Sequence, residues 1–82
     1  MDVVTDKDVV LGVIDRALNP SARIQITIRD WVDKRVLDIR EYQLDEYDQW
    51  KPSRKGFCLS IDTGLKLVEK LYKMRKKIKK GR

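Results

Sequence analysis

The sequence contains no histidine and only one cysteine, Cys58, and these two gaps exclude several classes of protein. Without histidine, the commonest acid–base group is missing and neither a Ser–His nor a Cys–His nucleophile pair can be built. A lone cysteine excludes a disulfide within the chain and, with no histidine, a structural zinc site. The four glycines are scattered, so no glycine-rich phosphate-binding motif is present. We therefore expect no catalytic residues, no metal and no cofactor.

Long apolar runs are also missing. No run approaches the about 18 residues of a membrane-spanning helix and no secretory signal follows Met1, so we expect a protein that is neither membrane-bound nor secreted.

What the sequence has is positive charge, with 19 Lys and Arg against 13 Asp and Glu, and a basic protein attracts polyanions. At 82 residues a single core is barely stable alone, so self-association is our default expectation.

Residues 6–18 are predicted to form a short amphipathic helix. Thr5 is a suitable N-cap, and Asn19-Pro20 ends the segment. We expect this helix to dock on the domain or its dimer partner, or on another protein. The residues that would share one helical face are Val9, Val10, Val13, Ile14, Ala17 and Leu18.

Strict alternation at residues 23–31 predicts a half-buried strand, with Ile24, Ile26 and Ile28 facing the core. A turn at 32–34 and a second strand at 35–42 complete a hairpin. The polar stretch at 43–48 is interpreted as a loop. We then expect a short strand at 49–51, a turn at Pro52-Ser53 and a last short strand at 55–60 with Phe57 and Leu59 inward.

Ser60 is a suitable cap for a final helix that starts at about Ile61. This helix carries two apolar stripes, and one sheet face does not need so wide an apolar surface. The second stripe most simply packs against the same helix of a second chain, which predicts a homodimer. The first stripe contains Ile61, Leu65, Val68 and Tyr72, and the second contains Leu67, Leu71, Met74 and Ile78.

The predicted order is α-β-β-β-β-α, a meander sheet with a helix over one face. We divide the chain into an N-terminal helical extension at 1–20, a nucleic-acid-binding domain at 21–74 and a frayed basic tail at 75–82. The sequence KMRKKIKK at residues 73–80, which overlaps this tail, also matches a nuclear import signal.

The predicted open face of the sheet interleaves cations with one aromatic side chain. Single-stranded nucleic acid needs this combination, because cations follow the phosphates and a flat ring stacks on a base. A duplex hides its base faces, so an exposed Trp31 favours single strands. The alternatives are a solvated sheet face and a tryptophan at the edge of the core. The cations of this face are Arg23, Arg29, Lys34, Arg40, Lys51, Arg54 and Lys55.

The segment ITIRDWVDKRVLDIREYQLD, followed by WKPSRKGFCLS, resembles the positive cofactor four family of single-stranded-DNA-binding transcriptional coactivators. The likeness runs without gaps from about Arg23 to Leu71. The motifs DIREY and KPxRKG at this separation are specific.

The resemblance implies a four-stranded curved antiparallel sheet and a long C-terminal helix through which two chains dimerise. It also implies that the two sheets form basic channels for single strands. By position, Trp31 matches an aromatic that stacks on a base, and Gly56 matches a glycine at the start of the last strand. The positions that match backbone-contacting cations are Lys34, Arg40, Lys51, Arg54 and Lys55.

The sequence departs from the family pattern at several positions. Gln43 stands in place of a second stacking aromatic, and Trp50 stands where an aliphatic residue is usual. Trp50 or Tyr47 is therefore a candidate for additional stacking. Val32 replaces a basic residue and Ser53 a glycine, and the Ser-rich acidic arm of eukaryotic members is absent.

Several functions stay open at this point. The leading hypothesis is a single-stranded-DNA-binding transcription cofactor, and protection of single strands in replication or repair is an alternative role. A second class is an adaptor that bridges activators and the transcription machinery, and a third is RNA binding. We expect a nuclear location in a eukaryote or for a nuclear virus, and otherwise a cytoplasmic or nucleoid one.

Overall fold

The computed structural model describes residues 8–81. Its four strands form one open antiparallel sheet in the order of the sequence, followed by helix, so the α+β meander is confirmed. Neither helix in this part of the chain is long and apolar enough to cross a membrane. The elements are β1 (Val9–Asp15), β2 (Ala22–Trp31), β3 (Lys34–Leu44), β4 (Trp50–Ser60), α1 (Ile61–Lys73) and α2 (Arg75–Lys80).

The predicted N-terminal helix is wrong, because residues 9–15 form β1 and pair with β2. The register shifts between Val10 and Gly12, so Leu11 is left without a partner and the two-residue alternation is broken. Apolar residues therefore occur on both faces of β1, and this imitates a helical stripe. β-Branched valines favour the strand, and the mid-segment Gly12 disfavours a helix. The proposed cap, Thr5, lies outside the described residues.

The predicted turn at Pro52-Ser53 is also wrong, because β4 is a single strand. Pro52 pairs with Tyr42 and belongs to β4, an edge strand of the sheet, and edge strands tolerate a proline. The register shifts between Arg40, which pairs with Gly56, and Tyr42, so extra residues of β4 bulge at this point. The residues of this local bulge have the composition of a turn, although the strand continues through them.

The β2–β3 hairpin forms as predicted, with Trp31 paired to Lys34. Its two loop residues, Val32 and Asp33, have φ angles of 47° and 61°. Positive φ at both central positions is typical of the tight turns that match strand twist, although a β-branched residue is strained there.

The C-terminal helix begins as predicted, with the Thr63 backbone N–H donating to Ser60 Oγ at 3.2 Å. It is shorter than predicted, because α1 covers 13 residues and is interrupted at Met74 before the six residues of α2. Residues 75–80, which we expected to be a frayed tail, are helical.

Helix α1 packs on the sheet through Gly64, which is buried against the Leu37 side chain. Leu67 is half-buried, whereas Leu65 and Val68 of the stripe predicted to cover the sheet are exposed. Among the described apolar residues only Ala22, Leu37 and Tyr42 are buried. A single chain therefore leaves much of its apolar surface uncovered.

Gly56 is required by a close approach of β4 to β3. A Cβ at this position would lie 2.5 Å from the Ile39 carbonyl oxygen and 2.6 Å from the Arg40 Cα, and its φ is +157°. We expect Gly56→Ala to lower the free energy of unfolding by about 1–3 kcal/mol, since backbone atoms must move. Urea denaturation at fixed protein concentration measures it. Gly12→Ala, where a Cβ meets nothing within 4 Å, is the control; equal effects would contradict this account.

Candidate nucleic-acid interface

The strand register separates two faces of the sheet, since directly paired residues project to the same side. We call one side the charged face and the other the apolar face. The charged face carries Arg23, Gln25, Thr27, Arg29 and Trp31 of β2 with Lys34, Asp38, Arg40 and Tyr42 of β3. The apolar face carries Ile24, Ile26, Ile28, Leu37, Ile39, Phe57 and Leu59.

The charged face has a buried polar centre, which the sequence analysis missed. Thr27 and Asp38 are 1% and 0% exposed, and Gln25 is also buried. These side chains were expected to face solvent. They are covered because long side chains of the same face lie over them, with Arg23 donating to Gln25 at 3.3 Å and Arg40 donating to Asp38.

Asp38 is the hub of this centre. Its carboxylate accepts hydrogen bonds from Arg40 Nη2 at 3.1 Å and from Cys58 Sγ at 3.1 Å, and Arg29 Nη1 lies 3.7 Å away. The hydrogen bond to Asp38 raises the pKa of Arg40, while burial and then the Asp38 carboxylate raise the pKa of the Cys58 thiol. Arg40 Nη1 also donates to the Ser53 carbonyl oxygen at 3.0 Å, so both ends of its guanidinium are fixed.

Four of the predicted site residues meet in one pocket beside this hub. The pocket has a volume of about 230 Å³ and includes Trp31 from β2 and Arg54 from β4. Trp31 is 56% exposed, so it does not belong to the core of the single chain. The complete lining is Arg29, Trp31, Arg40, Ser53, Arg54 and Cys58.

A second aromatic–cation pair occupies the other end of the charged face. Trp50 pairs with Leu44 across the β3–β4 ladder, which places it on the same side as Tyr42 and Arg23. The guanidinium carbon of Arg23 lies 4.3 Å from the centroid of the Trp50 ring. This distance is that of a cation–π contact. Tyr47, the other candidate for stacking, is exposed in the loop between β3 and β4.

Lys51 and Lys55 belong neither to the Trp31 pocket nor to the Arg23–Trp50 pair. Lys51 pairs with Gln43 on the opposite side of the ladder, and its Nζ is 3.3 Å from an Asp45 carboxylate oxygen. Lys55 lines a different pocket, of about 300 Å³, beside Ile39 and Phe57 of the apolar face. Both belong to an edge strand, so their contact with a bound strand stays a prediction.

Gln43, the position of the missing aromatic, is engaged in a polar contact. Its amide donates to Glu41 Oε1 at 3.1 Å, and Arg16 forms an ion pair with the same carboxylate. These two partners, Gln43 first, hold the pKa of Glu41 below its ordinary value. The Gln43 side chain thus helps to satisfy a buried carboxylate and is not displayed for stacking.

An open antiparallel sheet that ends in a helix and displays arginines around an exposed tryptophan is an architecture suited to binding a polyanion. The family model of transcriptional coactivator p15 (PC4) matches residues 18–70, more than half of the chain. The chain belongs to this family, the one that its motifs resemble. The match begins before β2 and ends within α1, so it includes the hairpin, the charged face and the start of the helix.

We expect Asp38→Asn to destabilise the fold, because two arginines lose the carboxylate that neutralises them. Hydrogen bonds to charged groups contribute about 1.5–3 kcal/mol, and we expect a loss in that range in urea denaturation. Asp33→Asn, in the exposed hairpin turn, removes the same charge and is the control. If the two variants were equally stable, Asp38 would not organise the charged face.

Proposed function

We propose that this coactivator-family chain binds single-stranded DNA on its charged face and acts as a homodimer. The observation that carries the proposal is the exposed Trp31 ring in a pocket shared with three arginines. A base that stacks on the ring places its own phosphates near these guanidinium groups. Stacking on an aromatic ring contributes about 1–3 kcal/mol per base, and the arginines supply phosphate contacts.

The face favours single strands because Trp31 acts only on a base whose flat side is accessible. In a duplex, base faces are stacked inside, and phosphate contacts alone are available. Arg54 and Lys34 are exposed and can offer such contacts to either form of DNA. We therefore assign strand selectivity to Trp31 and general affinity to the cations.

The proposed homodimer rests on the uncovered apolar surface of the helices. A groove of about 510 Å³ runs along α1 and α2, and Leu71 on it is 46% exposed. A second copy of the same helix has the apolar residues needed to fill it. Its lining is Val68, Leu71, Tyr72, Arg75, Ile78 and Lys79.

The family description, a transcriptional coactivator, supports a role beside the transcription machinery and hence a location in the nucleus or nucleoid. In this role the charged face would hold melted DNA while other surfaces contact proteins. A pure adaptor would not need an exposed tryptophan among arginines. The discriminating experiment is therefore DNA binding by variants of the charged face.

Trp31→Ala should weaken binding to a single-stranded oligonucleotide by about 1–3 kcal/mol and leave duplex binding nearly unchanged. Arg54→Ala should weaken both and lower the slope of log affinity against log salt by about 0.7 for single strands. Fluorescence anisotropy with labelled oligonucleotides at several salt concentrations measures both effects.

Arg35→Ala is the matched control for Arg54, because Arg35 is an exposed arginine whose register position lies on the apolar face and which pairs with Asp30 at 3.0 Å. It removes the same charge and should change the salt slope less. A Trp31→Ala protein with the wild-type preference for single strands would contradict the assignment of Trp31.

Leu71→Glu should dissociate the homodimer or unfold it, because a charge is placed in the proposed interface. Sedimentation velocity at micromolar concentration measures the mass. Leu18→Glu, at a fully exposed leucine outside the helices, should leave the mass unchanged. A monomeric wild-type protein would refute the proposed dimer.

A further inference from the structure

We infer that Arg23, backed by the ring of Trp50, is a second base-stacking platform for the bound single strand. The inference rests on the proposed function, because it concerns the same charged face. It assigns the stacking surface to a guanidinium plane, at a distance from Trp31 and independent of Gln43.

The first step is that the Arg23 guanidinium is held in place. Its carbon lies 4.3 Å from the centroid of the Trp50 ring, and its Nη2 donates to the buried Gln25 Oε1 at 3.3 Å. Its Nε is buried and has no hydrogen-bond partner among residues 8–81. A guanidinium fixed by a ring and by a buried amide loses little freedom when a ligand stacks on it.

The second step is that a base adds to this pair and does not replace the arginine. Stacking directly on the covered side of Trp50 would break the cation–π contact. It would also take away the donor that the buried Gln25 carbonyl now has. A base that stacks on the outer side of the guanidinium group leaves both the Trp50 contact and the Gln25 hydrogen bond intact. Arg23 is only partly buried, so part of its side chain is accessible to a base. Arginine planes stack on unpaired bases in the same way as aromatic rings.

The third step is the distance between the two platforms. Trp31 pairs with Lys34 at the hairpin end of the sheet, and Arg23 pairs with Tyr42 near the other end. The two residues are eight positions apart along β2, which corresponds to roughly 26 Å at about 3.3 Å per residue. One strand must span this distance to use both, so the second platform contributes only to oligonucleotides of sufficient length.

The test compares Arg23→Lys, which keeps the charge and removes the plane, with Arg35→Lys as the matched control on the apolar face. We expect Arg23→Lys to lower the affinity for a single-stranded 16-mer of deoxythymidine at least about fivefold, with an unchanged salt slope. For a tetramer of deoxythymidine, which is too short to reach both platforms, the loss should be smaller. Arg35→Lys should change neither affinity.

Trp50→Leu provides the second variant and should fold, since Trp50 is only partly buried and begins the edge strand β4. It should weaken binding of the 16-mer as Arg23→Lys does. The double variant should be little worse than either single variant, because the two side chains act as a unit. Additive losses would contradict a shared platform.

Fluorescence distinguishes the two modes of stacking. The chain has two tryptophans, so Trp31→Phe leaves Trp50 as the only reporter and keeps an aromatic ring at the first site. We expect DNA to change Trp50 emission little, because Arg23 lies between the ring and the base. Strong quenching together with wild-type affinity of Arg23→Lys would overturn the inference in favour of direct stacking. If Arg23→Lys binds normally while Trp31→Ala is impaired, the platform is refuted and the proposed function stands.

Discussion

The charged face depends on one buried carboxylate. Arginines on neighbouring strands repel one another, and without a counter-charge they would turn away into solvent. Asp38 removes this conflict, because it lies under Arg29 and Arg40 and is itself excluded from water. A buried carboxyl group is stable only when it has partners, and the guanidinium groups of Arg29 and Arg40 provide them. The cost of burying one carboxylate thus fixes the positions of two cations.

The hydrogen bonds around Asp38 also divide the cations of the charged face into held and exposed ones. Arg40 is held by Asp38 and by the Ser53 carbonyl, so part of its charge is already neutralised within the protein. Arg54 contributes to the same pocket from an exposed position. In the proposed complex with DNA, the fixed arginines would determine where a phosphate lies, and the exposed cations would add long-range attraction that salt screens. Truncating Arg29 or Arg40 would remove a partner of the buried Asp38 carboxylate. Such a variant would lose stability as well as affinity for DNA, so the two effects could not be separated.

The sequence was sufficient for the central hairpin, for the start of the helix and for the residues that β2 and β3 place on the charged face, but not for the positions of Lys51 and Lys55 on β4. These follow from local rules, namely strict alternation at residues 23–31 and a serine cap at Ser60. It was not sufficient for β1 and for β4, where bulges at Leu11 and opposite Glu41 break the alternation. A bulge depends on pairing with the neighbouring strand. The role of Asp38 was missed for a related reason, since its burial is produced by arginines from two strands.

The two tryptophans of the charged face differ in how accessible their rings are. At the hairpin end, Trp31 is exposed and leaves its ring accessible. At the other end, the Trp50 ring is partly covered by the guanidinium group of Arg23, whose carbon lies 4.3 Å from the ring centroid. A bare second tryptophan would enlarge the exposed apolar surface of a chain that already buries few apolar residues. The guanidinium group of Arg23 covers part of the Trp50 ring and so reduces that exposure, and it adds a positive charge. A guanidinium group is more weakly hydrated than an ammonium group, so it loses less hydration when it stacks on a ring. In the inferred complex, Arg23 and Trp50 therefore supply the second stacking surface on the charged face, while Gln43, which pairs with Lys51 on the other side of the sheet, keeps its hydrogen bond to Glu41.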